Sequence, residues 1–161
     1  MKKFLFPVLL LIGCFVGLSM TSCTSRGSDE DDLSYETRSY IIGISQWEAK
    51  QVKRADGTWS DDPFHEGKQF TINFKDHIDG KASNPCPFET WEFIGQTDIQ
   101  KREEKHFSGT YTVSNKTVTC TVDGKQHLRF IVTKMEDSQL GGTVTFFDDN
   151  VTFDVIMEPT W

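Results

Sequence analysis

Turn residues and β-rich runs alternate through the second half of this chain at the spacing of a sheet meander, and that rhythm narrows the fold more than any other feature. Gly109 to Ser114, Lys116 to Val122, His127 to Met135, Gly142 to Phe147 and Val151 to Glu158 are successive candidate strands. Asn115, Asp123-Gly124, Asp137-Ser138 and Asp148-Asp149-Asn150 separate them. Asp123-Gly124 is the strongest hairpin signal, because a type I′ turn needs positive φ at both central residues. Within the runs the side chains alternate. Val118, Cys120 and Val122 share one face and Thr117, Thr119 and Thr121 the other; Val151, Phe153, Val155 and Met157 repeat the pattern against Thr152, Asp154 and Glu158.

The first half follows the same period less regularly. Ile41 to Val52 carries apolar residues at 42, 44, 47, 49 and 52, which predicts a long strand with one phase slip at a bulge. Ala55 to Thr58 is a turn, Gln69 to Phe74 a cleanly alternating strand, Lys75 to Pro87 a loop, and Trp91-Glu92-Phe93 a further strand turning at Gly95-Gln96. Gln96 to His106 offers only Ile99 as an apolar side chain and no stripe to dock, so a polar edge strand or loop is expected there over a helix. The expected fold class is all-β: an antiparallel up-and-down meander of about eight to nine strands, closed into a barrel because closure removes both open edges. A β-sandwich is the alternative.

The N-terminus belongs to a different class of sequence. Met1-Lys2-Lys3 and the apolar run Phe4 to Leu18 have the layout of an export signal. Ser19-Met20-Thr21-Ser22 then leads into Cys23, and the whole resembles a bacterial lipoprotein signal, with Met20 at the place usually held by Leu. The organisation expected is a signal peptide over 1–22, a lipidated Cys23 with an acidic flexible tether over 23–38, and one domain over 39–161. Simple cleavage and a retained anchor helix are the alternatives. The resemblance implies attachment to the membrane through lipid, in the cell envelope. Thr24 after the cysteine resembles outer-membrane sorting, and the acidic run from Ser28 to Asp32 resembles that of surface-exposed lipoproteins.

Charge narrows the partners. The chain has net charge −7; without the leader's two lysines, 15 basic face 24 acidic residues, a net −9. Phosphate backbones require clustered Lys and Arg, so nucleic acid is excluded as a partner, and anionic lipid headgroups fail on the same ground.

Trp47, the Asp56-Gly57-Thr58-Trp59 loop, and Gly109-Thr110-Tyr111-Thr112-Val113 running into Ser114-Asn115-Lys116 resemble the small bacterial lipocalin-like lipoprotein domains, in order, over most of residues 40–158. Gly43 stands four residues before Trp47, where the Gly-x-Trp signature of true lipocalins has two. The resemblance implies a β-barrel on a lipid anchor. It carries no catalytic residues.

Aromatic residues make up 12% of the chain, thirteen of them Phe, and most fall on strands. Pointing inward they either fill a small barrel or line a pocket. Trp47, Trp59, Trp91, Phe93, Tyr111, Phe130 and Phe153 are the candidate ligand or barrel-end contacts, with Trp47 expected to plug one end and Trp59 and Trp161 to stand exposed. The function expected is non-catalytic binding of a small apolar or amphipathic ligand in a lipocalin-like barrel; the alternative is a surface-displayed, filled barrel that contacts a glycan or protein partner.

No catalytic set emerges. The four histidines have no metal spacing, His65-Glu66 and Asp76-His77-Ile78-Asp79 fit solvated turns, and no nucleophile elbow or phosphate loop exists. Asp61-Asp62, Glu103-Glu104 and Asp148-Asp149 are adjacent pairs that point apart on a strand or solvate a turn. No metal or other cofactor is implied. Cys86 and Cys120 remain as a disulfide pair, which an export compartment would permit, or as two buried thiols.

Overall fold

The computed structural model describes residues 32–44, 46–78, 81–82, 85–94, 103–136 and 138–160; the leader, Cys23, most of the expected tether and Trp161 lie outside them. The element order is α1 (Asp32–Ile42), β1 (Trp47–Lys53), β2 (Trp59–Ser60), α2 (Pro63–Glu66), β3 (Phe70–Phe74), β4 (His77–Ile78), β5 (Lys81–Ala82), β6 (Cys86–Ile94), β7 (Glu103–Ser114), β8 (Thr117–Val122), β9 (Lys125–Glu136), β10 (Gln139–Phe146) and β11 (Val151–Pro159).

Eight strands, β1, β3 and β6 to β11, pair antiparallel in that order, and β11 returns to β1. The closing register runs from Trp47 opposite Pro159 to Val52 opposite Val155. The chain is therefore an all-β up-and-down barrel without an open main edge, as the meander spacing predicts. The short β2 pairs with the end of β1, and β4 with β5 form a separate hairpin.

The turns show why these residues end the strands where they do. Asp123 and Gly124 have φ of 49° and 75°, the pair of positive values that a type I′ hairpin needs, and Asn115, Ser138 and Asn150 also adopt positive φ. The phase slip expected in the first strand is a bulge between Ala49 and Gln51. It keeps Trp47, Ala49 and Val52 all facing inward.

The start of the chain differs from expectation. In place of a tether to residue 38 and a strand from Ile41, an 11-residue helix covers one end of the barrel. Its buried side chains are Ser34, Thr37 and Ile41, spaced three and four apart. Ser34 Oγ accepts from the Asn115 backbone N–H at 2.6 Å, and Tyr40 donates its hydroxyl to the Gln139 carbonyl at 3.0 Å, so the helix is tied to the β7–β8 and β9–β10 turns. The expected loop from Lys75 to Pro87 contains β4, β5 and the start of β6, and the polar segment ending at His106 opens β7.

Candidate functional site

The inward faces pack against one another. Phe70, Ile72, Phe74, Leu128, Phe130, Val144 and Met157 meet in the middle of the barrel, and the interstices between them leave ≈ 0 Å³ for a water-sized sphere. Phe70 meets Phe146 edge-on at 5.1 Å between centroids, as Phe74 meets Tyr111 at 5.0 Å. Around these seven residues the described interior is packed as a core.

Of the seven contact candidates, four belong to this packing or cap it. Phe130 and Tyr111 are buried within it, and Phe153 stacks on Phe146 beside it. Trp47 plugs the α1 end, fully buried, stacked on Tyr40 and donating its indole N–H to the Ile41 carbonyl at 2.9 Å. Trp59, 42% exposed on β2, stands apart from the others. Only Trp91 and Phe93 share a solvent-facing site.

That site is a groove of ≈ 440 Å³ on the outer wall, lined by Gln46, Glu48, Thr71, Trp91, Phe93, Glu104 and Thr160. Strand register builds it. Glu48 lies opposite Thr71, Thr71 opposite Trp91, and Trp91 opposite His106, so one outward row crosses β1, β3, β6 and β7; Phe93 opposite Glu104 adds a second row. The small Thr71 between larger neighbours makes the depression. Trp91 is held by stacking on His106, with centroids 4.9 Å apart and planes at 26°. Glu48 accepts from Lys50 at 2.6 Å, in a partly exposed ion pair, and from Gln69 at 3.2 Å.

At the barrel end opposite α1 lies a chain of charges, buried at Lys68, Glu92 and His127 and reaching solvent at Asp148 and Asp149. Lys68 Nζ is 2.6 Å from Glu92 Oε2, Glu92 Oε1 accepts from His127 Nε2 at 2.5 Å, and His127 Nδ1 donates to Asp148 Oδ2 at 2.7 Å. Asp149 takes a second contact from Lys68, whose ammonium also sits 4.2 Å from the centre of the Phe146 ring. Burial disfavours the imidazolium, but the Glu92 and Asp148 carboxylates outweigh it, and the His127 pKa is raised. Both ring nitrogens of His127 face carboxylate oxygens, and the cluster links β6, β9 and the β10–β11 turn.

No family model and no curated protein matches this chain.

The Cys86–Cys120 bridge is corrected: both side chains are unbridged thiols. Cys86 lies opposite Tyr111 and Tyr111 opposite Cys120, so a whole strand separates them. Two strand spacings are roughly 9–10 Å, beyond the reach of a disulfide. Burial, then the nearby Glu92 charge, pushes the Cys120 thiol pKa up.

Sequence reasoning passed over Lys68, Glu92, His127 and the two aspartates as a group. One signal was present: Phe88, Thr90 and Glu92 fall in one phase, which puts a carboxylate on the inner face. For His127 no signal existed, since it would point outward beside Leu128 but for a bulge: Cys120 pairs with Leu128 and Thr121 with Gln126, so His127 is skipped and turned inward.

Proposed function

We propose that this chain is an outer-membrane lipoprotein, anchored through acylated Cys23, whose filled barrel serves as a non-catalytic interaction module that meets its partner on the outer wall. The observation that carries the reading is the packed interior around Phe130. Two further observations support it: the leader and cysteine pattern favours the anchor, and both ring nitrogens of the buried histidine face carboxylates. Trp91 and Phe93 are the largest side chains in the outer groove and the first candidates for that contact.

Two measurements test it together. Labelled palmitate should enter the wild-type chain and not Cys23→Ala. Native mass spectrometry of the mature, delipidated chain should give the mass of the polypeptide alone. A retained apolar molecule would contradict the filled barrel, and unlabelled wild-type protein in the soluble fraction would contradict the anchor.

A further inference from the structure

From the lining of the outer groove we infer its ligand class: a neutral glycan, one sugar ring of which lies on Trp91 and Phe93. The inference rests on the reading that contacts are made outside the barrel and adds what the contact recognises.

The groove's chemistry is that of a sugar ring's two kinds of surface. A pyranose offers an apolar C–H face and a rim of hydroxyls. The Trp91 and Phe93 rings supply the apolar platform, and the Trp91 indole is pre-positioned by its stack on His106, so little side-chain freedom is lost on binding. Around them stand acceptors and mixed donor–acceptors in place of cations: the carboxylates of Glu48 and Glu104, the amide of Gln46, and the hydroxyls of Thr71 and Thr160. The Thr160 hydroxyl is buried and has no hydrogen-bond partner among the described residues, an unsatisfied group at the groove's own edge. At ≈ 440 Å³ the groove falls in the size range of small-molecule sites.

Charge decides among glycans. Among the described residues that line the groove none is Lys or Arg, and the chain is acidic, which disfavours uronic or sulfated sugars. A cationic partner is disfavoured because Lys50 and Gln69 already occupy the Glu48 carboxylate. A neutral polyol, donating hydroxyls to Glu104 and exchanging hydrogen bonds with Gln46, satisfies the polar groups of the lining without bringing a further charge into it.

The experiment is calorimetric titration of the mature domain with hexasaccharides: neutral gluco-, manno-, galacto- and xylo-oligomers, an acidic oligogalacturonate, a cationic chitosan oligomer, and hexalysine. At least one neutral oligomer is expected to bind, with the acidic one silent. Trp91→Ala should weaken binding at least tenfold, and Thr71→Trp, which fills the depression without removing the platform, should abolish it. Phe130→Leu, inside the barrel, should leave it unchanged. Near-UV circular dichroism checks that each variant is folded. No binding by any neutral oligomer, binding only to chitosan or hexalysine, or neutral binding that survives Thr71→Trp would overturn the inference. Binding that fails in Phe130→Leu while surviving Thr71→Trp would instead overturn the external reading itself.

Discussion

His127 Nε2 lies 2.5 Å from Glu92 Oε1, and both side chains are almost entirely buried at the end of the barrel opposite the helix. Each is useful only with the other. Removing the carboxylate alone leaves the His127 imidazolium with a single partner and the Lys68 ammonium tied to the solvent-facing Asp149, so Glu92→Leu should cost about 3–5 kcal/mol. Replacing both members, Glu92→Leu with His127→Leu, should recover part of that loss, because well-packed apolar groups remove the desolvation cost as well as the attraction. Urea denaturation of the two single variants and the double variant measures the coupling. Additive losses would show that the pair does not interact.

The same contacts set a pH dependence. The folded-state pKa of His127 is raised above that of the unfolded chain, so the native state holds the proton more tightly. Its stabilisation is complete below the unfolded histidine range and is lost as pH rises through the folded value. Stability should therefore fall on the alkaline side, by at most about 1.4 kcal/mol per pH unit for one proton. His127→Gln should flatten that limb. A midpoint of unfolding that rises with pH through this window in the wild type, and not in the variant, would reverse the sign.

The two thiols should be chemically silent. Cys86 and Cys120 are 3% and 0% exposed, with Tyr111 between them, and burial holds Cys120 protonated. A thiol-specific chromophore should modify neither in the native domain and both after denaturation, and reducing agent should not change the melting temperature. A reductant-dependent melting temperature would indicate a bridge.

Gly109 and Gly142 are where the barrel wall cannot accept a side chain. A Cβ at Gly142 would stand 2.0 Å from the Ile131 carbonyl oxygen, and one at Gly109 2.0 Å from that of Thr121. Neither backbone oxygen can move without breaking the ladder, so Gly142→Ala and Gly109→Ala should each cost about 1–3 kcal/mol. Gly141, in the same bulge, would meet nothing closer than the Lys134 Cβ at 3.1 Å, and alanine there should cost less. Thermal melts of the three variants rank them.

The C-terminal strands were legible because their turns carry residues that tolerate positive φ, so Asn115, Asp123-Gly124 and Asn150 mark three of the four reversals whatever lies around them. The helix α1 was not, because its buried stripe is Ser34, Thr37 and Ile41: two small polar residues whose burial depends on their place over the barrel end. Whether the barrel was full could not be judged from aromatic content, since Phe130 inward and Phe93 outward look alike until register assigns their faces. The cluster was hidden for the same reason. A bulge opposite Thr121 turns His127 inward, and pairing then brings together Glu92, His127 and the aspartates from distant stretches of the chain.

The claim that this protein makes its contacts on the outer wall is tested most directly by two-dimensional nitrogen–proton spectra recorded while a neutral hexasaccharide is added. Trp47 and Trp91 place one indole N–H inside the barrel and one on its outside, two internal reporters of where the ligand sits. The Trp91 indole and the amides of Thr71, Phe93 and Glu104 are predicted to shift while the Trp47 indole stays fixed. Shifts at the Trp47 indole and at Leu128 and Val144, with Trp91 unmoved, would place the ligand inside and contradict the account.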